Sequence, residues 1–450
     1  MNQTNKPVSL NPEIPEEILD DSIIDELEGK IDTNGVPWTQ REFSHPERTI
    51  RIATSFSGLG APEKGLERLN LNTKIVFACD IGERYLKYPS KKLREFIRDF
   101  SDEDKEKFIK SIYENNAADV DSSRKTKAKK ELAESTGEDD FEDKDISYTP
   151  LTLLEVRESL LNDDNKLDVN LELTEECIRL ICKYKGIDEN DTERISEYVT
   201  TLYDEKGENF VKASFFANHD IREDVWYTDI RFLNAEKYKG EVDIYVGGSP
   251  CQSYSRSGKR LALDDMRGSL FYQFALRIRE LHPKTFIYEN VRGMTDKRKV
   301  RKCGLQAALE VFSEDLGYKV YWKVLNAKDY GIPQNRERIW VVGFRPDVAP
   351  DDFKFPAPIP LTTRMYDYLD EDIPPRSGKV EKPYIRPLTG TECLRLMGFT
   401  DFKVSPLLER QTETKRNSIM CNQAGNSMVV ECLMALYKQM DITKYGTDPE

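Results

Sequence analysis

Cys251 is the side chain of this sequence with the strongest claim to nucleophilic chemistry. It lies within the stretch Val242-Asp-Ile-Tyr-Val-Gly-Gly-Ser-Pro-Cys-Gln-Ser-Tyr-Ser255. A β-branched and aromatic run bounded by Gly and Pro predicts a buried strand that ends in a tight loop. In an open α/β sheet, ligands bind beyond the carboxyl ends of the strands, so such a loop sits where chemistry would occur. A thiolate is a strong nucleophile near neutral pH. A free cysteine is also a common packing residue, and its reactivity depends on its surroundings. Both readings stand for Cys251 considered by itself.

Other stretches present functional groups in the same manner. Thr49-Ile-Arg-Ile-Ala-Thr-Ser-Phe56 predicts a strand, followed by Ser57-Gly-Leu-Gly60 and an amphipathic helix over Pro62–Leu69. Glycines in such a turn let a ligand approach the backbone, and the helix N-terminus favours an anion. Lys74-Ile-Val-Phe-Ala-Cys-Asp80 predicts a second strand ending in an acid. Its distance from the glycines, roughly 20 residues, suits an acid that binds a ribose hydroxyl. A nucleoside-type ligand and an ordinary tight turn both account for this pair. Lys284-Thr-Phe-Ile-Tyr-Glu289-Asn290-Val291 is a further apolar strand, ending in Glu-Asn.

The elements that must position these groups alternate. Helices are expected over Phe271–Glu280 and Gly304–Leu316, strands over Tyr318–Leu325 and Arg338–Phe344, and a last helix-like segment over Thr389–Met397. Such alternation predicts an α/β fold with a doubly wound, largely parallel sheet. Residues 1–49 are acidic and Pro-punctuated and read as a mostly flexible arm, with helical spacing around Glu16–Glu28. Residues 87–211 interrupt the alternation with helical spacing over Lys91–Asn115 and Leu171–Tyr184, around a densely charged tract, Asp119–Asp145. Residues 346–385 are Pro-rich, without clear periodicity, and read as a short linker or a residual recognition segment.

The net charge is −14, yet it is unevenly placed. Residues 1–50 hold 4 Lys/Arg against 11 Asp/Glu, and residues 86–211 hold 21 against 33. The remainder, 51–85 and 212–450, holds 42 against 37, so the part containing Cys251 is slightly basic and compatible with a polyanion. Eight scattered cysteines without a Cys-x-x-Cys pair, and only three histidines, argue for a reduced protein with no zinc site. No run of roughly 18 apolar residues occurs, so neither signal peptide nor membrane span is expected, and a cytoplasmic location is.

Phe56-Ser-Gly-Leu-Gly60, Pro250-Cys-Gln252, Glu289-Asn-Val291, Gln334-Asn-Arg-Glu-Arg338 and Gly425-Asn-Ser427 stand in the order and approximate spacing of the DNA cytosine-5 methyltransferases, which the chain resembles. Arg386-Pro-Leu-Thr-Gly-Thr-Glu-Cys-Leu-Arg-Leu-Met-Gly-Phe399 is similar to the stretch before their last motif. The resemblance spans 50–85, 212–345 and 386–440. It implies a Rossmann-like methyltransferase sheet, S-adenosylmethionine as methyl donor and double-stranded DNA as substrate, with no metal. Cys251 would add to carbon 6 of cytosine. Glu289 would contact the N3 and amino edge, and Arg336 or Arg338 the base carbonyl, unless these arginines form surface pairs with Glu337 or Asp329. Asn290 would order the site's backbone. Around the cofactor, Phe56 would pack one end, Gly58 and Gly60 would allow backbone contact, and Asp80, followed by Ile81, would bind the ribose. Asp229-Ile230 would edge the adenine, Pro250 would border the methyl, and Asn426-Ser427-Met428 would close over the amino-acid moiety. A turn at Asp229 and a cap at Ser427 are the plain alternatives. The base that removes the carbon 5 proton has no candidate.

The chain departs from the family in two places. Roughly 40 residues, Arg345–Ile385, stand where a sizeable target-recognition domain is usual. In exchange, 87–211 forms an acidic insertion, expected either to supplement the missing reader or to recruit a partner protein. Ser253–Arg267 and Arg292–Lys302 are the segments expected to close on DNA and to meet phosphate. An RNA substrate is the alternative within the same chemistry.

Overall fold

The computed structural model describes residues 22–116, 152–162, 167–250, 270–295, 304–370 and 386–449. Seven strands, numbered in chain order, form its main sheet: β1 Thr49–Ser55, β2 Asn72–Cys79, β3 Trp226–Tyr227, β4 Ile244–Gly247, β5 Thr285–Val291, β6 Lys319–Asn326 and β7 Glu337–Phe344. Their spatial order is β3-β2-β1-β4-β5-β7-β6. Strands β3 to β5 are parallel, and β7 runs antiparallel between β5 and β6.

Strand β4 shows why the sheet needs two covering layers. All four of its residues are buried. Ile244 and Val246 enter one apolar cluster with Leu66 and Leu433, while Tyr245 enters the other with Phe274 and Leu309. Helices Ala61–Arg68 and Val430–Met440 therefore cover one face, and Leu270–Leu281 and Gly304–Glu310 the other. The chain leaves β1 toward β2 on one side, while β4 flanks β1 on the other. That reversal opens a crevice at the carboxyl ends of β1 and β4, the usual ligand site of a doubly wound sheet. Gly247 is required there: a Cβ would lie 2.6 Å from the Ser55 carbonyl oxygen and 2.7 Å from Phe274.

Between β2 and β3 the chain builds a third apolar cluster, including Leu93, Phe108, Ile178 and Val199. Two short strands, Lys87–Pro89 and Asn170–Glu172, pair antiparallel within it. The expected helical stretch over Leu171–Tyr184 thus begins as strand. Thr174 then caps helix Glu175–Tyr184 by accepting from the Cys177 amide. The charged tract Asp119–Asp145 lies outside the described residues.

Two expected loose segments are instead packed. The arm is docked from residue 22 onward: Trp38 is buried in the main core, and the indole nitrogen of Trp322 donates to the Ile24 carbonyl at 2.8 Å. Lys30–Ile31 pairs in parallel with Lys354–Phe355, whose Phe355 is fully buried. Phe353 and Phe355 therefore pack in the main apolar core. Each segment scatters its large apolar side chains amid charge and proline, which periodicity does not register but a preformed groove can bury. Helix Glu413–Asn426 was also not expected. Its sequence is polar, and only Met420, Gln423 and Ala424 are buried.

Among the described residues, no helix is long and apolar enough to cross a membrane, and no group of three candidate metal ligands occurs.

Candidate active site

The loop after β4 is fixed from below. Asn290, buried at the end of β5, donates through Nδ2 to the Ser249 carbonyl (2.8 Å) and the Tyr288 hydroxyl (2.8 Å). Its Oδ1 accepts from the Val291 amide. Ser249 and Tyr288 meet through their hydroxyls at 2.7 Å. Pro250 is exposed at the crevice. Cys251 follows it, outside the described residues, as does Ser253–Arg267.

Strands β5 and β7 bring the acid and the arginines to this loop. Their register sets Trp340 opposite Glu289 and Arg338 opposite Val291, so Glu289 and Arg338 are diagonal neighbours on one face. Arg338 Nε lies 3.2 Å from Glu289 Oε1. Burial pushes the Glu289 carboxyl above the usual carboxylate range, and Arg338 and Arg336 offset only part of that rise. Gly248 is what makes room. A Cβ there would stand 2.6 Å from the Glu289 carbonyl oxygen and 3.3 Å from its Oε2. Arg336 turns the other way: its Nη2 donates to the carbonyls of Gly425 (2.9 Å) and Ser427 (2.8 Å). Neither arginine forms an ion pair with the Glu337 or Asp329 side chain among the described residues: Arg338 Nη1 donates to the Glu337 backbone carbonyl (2.8 Å), and the Glu337 carboxylate takes Arg292 instead. Of the expected phosphate-contacting segment, residues 296–302 lie outside the described residues.

The side expected to hold the cofactor is organised around Asp80, which follows β2. Its Oδ2 accepts from the Gly58 amide (2.9 Å) and its Oδ1 from the Gly82 amide (2.7 Å). Burial raises its pKa against the pull of both amides. The two glycines of the turn have different tasks. Gly58 (φ +54) faces open space, where a Cβ would meet nothing nearer than the Phe56 carbonyl oxygen at 4.0 Å, so a ligand can reach its backbone. Gly60 (φ +77) is a packing requirement, because its Cβ would lie 2.2 Å from His219 Nε2. Phe56 also has a positive φ, 56°, which turns the chain sharply out of β1.

Asp229 uses its carboxylate internally. It accepts from the Arg231 amide (3.0 Å), the Arg231 guanidinium (2.7 Å from Nη2) and the Tyr203 hydroxyl (2.9 Å). Burial works to raise its pKa, but Arg231 and Tyr203 outweigh it and hold the group below the usual range. Ile230 is buried behind it. Asn426 donates to Glu83 Oε1 (2.6 Å), and the buried Ser427 hydroxyl donates to the Met428 carbonyl (3.2 Å). The open Gly58 backbone, the carboxylate of Asp80 on the next strand and the exposed Pro250 fit a nucleoside-bearing cofactor.

Two residues that sequence reasoning missed hold the glycine turn. His219 lies with Nε2 2.9 Å from the Leu59 carbonyl, and burial lowers its pKa to about 4, so the neutral ring donates there. Glu63, buried on the helix below, accepts from the Thr54 hydroxyl (2.8 Å), and burial raises it to about 7. Neither carries a motif, and only the packing of distant segments reveals them. For Glu63 the raised folded pKa means that its contribution to stability is complete below about pH 4.5 and is lost as pH rises through about 7. Glu63→Gln keeps an acceptor for Thr54 and removes that loss. Urea denaturation should show the variant gaining on the parent by up to about 3 kcal/mol at pH 8 and little at pH 5. An equal difference at both pH values would refute this.

Residues 189–381 match the model of the C-5 cytosine-specific DNA methylases. The chain is 37% identical over 145 residues to the orphan methyltransferase M.SPRI of Bacillus phage SPR, covering 32% of either chain. It is 41% identical over 138 residues to the type II methyltransferase M.FnuDI of Fusobacterium nucleatum (31% of this chain, 39% of the relative). It is 36% identical over 185 residues to the type II methyltransferase M.HpaII of Haemophilus parainfluenzae (41% and 49%). The matches thus span between a third and a half of these relatives' length.

Proposed function

Because the chain belongs to the C-5 cytosine-specific DNA methylase family, we propose that it methylates carbon 5 of a specific cytosine in double-stranded DNA. The observation that carries this reading is the convergence of Glu289 and Arg338 (3.2 Å) beside the Gly248-Ser249-Pro250 loop that leads into Cys251. Carbon 5 of cytosine is too weak a nucleophile to take a methyl group directly. The Cys251 thiolate adds at carbon 6, which turns the ring into an enamine nucleophilic at carbon 5. Electron density moves toward N3 during addition, and Glu289, whose pKa burial raises, donates there in its protonated form. Arg338 orients Glu289, and its positive charge would offset the negative charge that develops on the base. Asn290 fixes the loop that presents the thiol. S-adenosylmethionine, when bound, supplies an electrophilic methyl. Asp80 would hold its ribose, the open Gly58 backbone would admit it, and Pro250 would border the reacting methyl. Loss of the carbon 5 proton then allows the thiol to leave.

The target base must leave the helix stack to expose carbon 6, so base flipping is part of the reading. The relatives' names support service in a restriction-modification system or on a phage genome. Labelled S-adenosylmethionine with duplex DNA, followed by base-resolved detection of 5-methylcytosine, tests the proposal, with tRNA in parallel. Label on DNA cytosine is the expected result. Label on tRNA alone would move the substrate to RNA, and no label on either would end the reading.

A further inference from the structure

The insertion between β2 and β3 is positioned to do more than read DNA or recruit a partner. Its last helix, Thr192–Asp204, and the turn after it return directly onto the strand ends. Tyr203 is 2% exposed, donates its hydroxyl to Asp229 Oδ2 at 2.9 Å and accepts from Arg231 Nη2 at 3.2 Å. The Arg84 guanidinium lies 5.4 Å from the centre of the Tyr203 ring. Arg84 also donates to the Ile81 carbonyl (2.9 Å), to Asp204 (2.9 Å) and to the Gly207 carbonyl (3.2 Å), which ties the start of the insertion to its end. Asn209 donates through Nδ2 to the Asp80 carbonyl (3.3 Å), and its Oδ1 presses on Gly82, where a Cβ would lie 2.0 Å away. Ile81 and Phe232 pack on the insertion's own apolar cluster. Asp80, Ile81 and Asp229, three residues assigned to the adenosine half of the cofactor, each have insertion partners.

We propose that the insertion forms a wall of the cofactor site, with Tyr203 and Asn209 as positioning residues that set affinity for the adenosine moiety through Asp229 and Asp80. The proposal rests on the cofactor assignment made above. The physical reason lies in hydrogen-bond capacity. A carboxylate has about four lone-pair positions, and those of Asp229 are taken by the Arg231 amide, the Arg231 guanidinium and Tyr203. With the carboxylate saturated, Asp229 locks the short helical turn Ile230–Phe232 that it caps. Tyr203 is the one of these donors that comes from the insertion, so any shift of the insertion is felt at that turn.

Calorimetric titration of the full chain with S-adenosylhomocysteine, without DNA, tests this. Tyr203→Phe keeps the packed ring and removes only the hydroxyl. Asn209→Asp keeps the acceptor for the Lys212 amide and removes the donor to Asp80. Each is expected to raise Kd by about five- to tenfold, the scale of one lost hydrogen bond, with the charge-assisted Tyr203 bond at the upper end. In turnover the change should appear in KM for S-adenosylmethionine rather than in kcat. The same factor is expected for 5′-methylthioadenosine, which lacks the amino-acid moiety. Kd values within twofold of the parent for both variants overturn the proposal, provided that Asp80→Asn, as control, does weaken binding. If Asp80→Asn and Asp229→Asn also leave Kd unchanged, the cofactor assignment itself has failed and the proposal falls with it.

Discussion

Cys251→Ala is expected to lower methyl transfer by roughly 10⁴-fold or more, because a covalent route loses its only entry step when the nucleophile is removed. The expectation is sharper than a simple loss of activity. In 5-fluorocytosine DNA the fluorine at carbon 5 cannot leave as a cation, so the parent enzyme should become trapped on DNA after one methyl transfer. Cys251→Ala should form no such adduct at any time, while still binding S-adenosylhomocysteine, whose assigned partners do not include Cys251. The loop preceding the thiol is held by Asn290, through the Ser249 carbonyl, independently of the cysteine itself. An adduct that persists in Cys251→Ala, seen as a band stable to denaturing electrophoresis, would remove Cys251 from the mechanism.

Glu289→Gln is expected to lower kcat by about 10²- to 10³-fold, the usual worth of a positioned acid. The geometry argues for a larger effect on the chemical step than on binding. Glutamine is nearly isosteric and can still meet Arg338, now 3.2 Å from Glu289 Oε1, so the wall beside Gly248 should keep its shape. What is lost is a transferable proton. Burial raises the Glu289 pKa above that of a free carboxyl. The protonated, donating form is complete below that raised pKa and declines as pH rises through it. The parent should therefore lose addition rate with rising pH in single-turnover measurements, and Glu289→Gln should lose that dependence. Unlike Cys251→Ala, it should still form the 5-fluorocytosine adduct, slowly. A variant with the parent's rate and pH profile would show that Glu289 is only a structural partner of Arg338.

The residue types at this candidate site were more legible in the sequence than their arrangement. The ends of β1, β2, β4 and β5 were each readable, because a buried strand announces itself by an unbroken apolar run and its end by Gly, Pro or a lone acid. Asn290 is a favourable case: the chain suggested an ordering role, and its bonds to Ser249 and Tyr288 are of that kind. The two arginines were indistinguishable in sequence. In space Arg338 points at Glu289, while Arg336 holds the carbonyls of Gly425 and Ser427. Antiparallel entry of β7 decides this, since residues 336 and 338 lie on either side of the strand's first residue.

By itself, then, the sequence determined the alternating α/β order, the family resemblance and the identity of the chemical groups, all of which are local or periodic properties. Tertiary structure alone decided which groups meet. It put His219 under Gly60 and Glu63 under Thr54, from segments whose own sequences signal nothing. It drew Trp38 and Phe355 out of apparent loops into the core. It also brought Tyr203 of an acidic insertion onto Asp229. Those outcomes depend on burial and on hydrogen bonds between residues distant in the chain, and such energies exist only once the two layers have closed over the sheet.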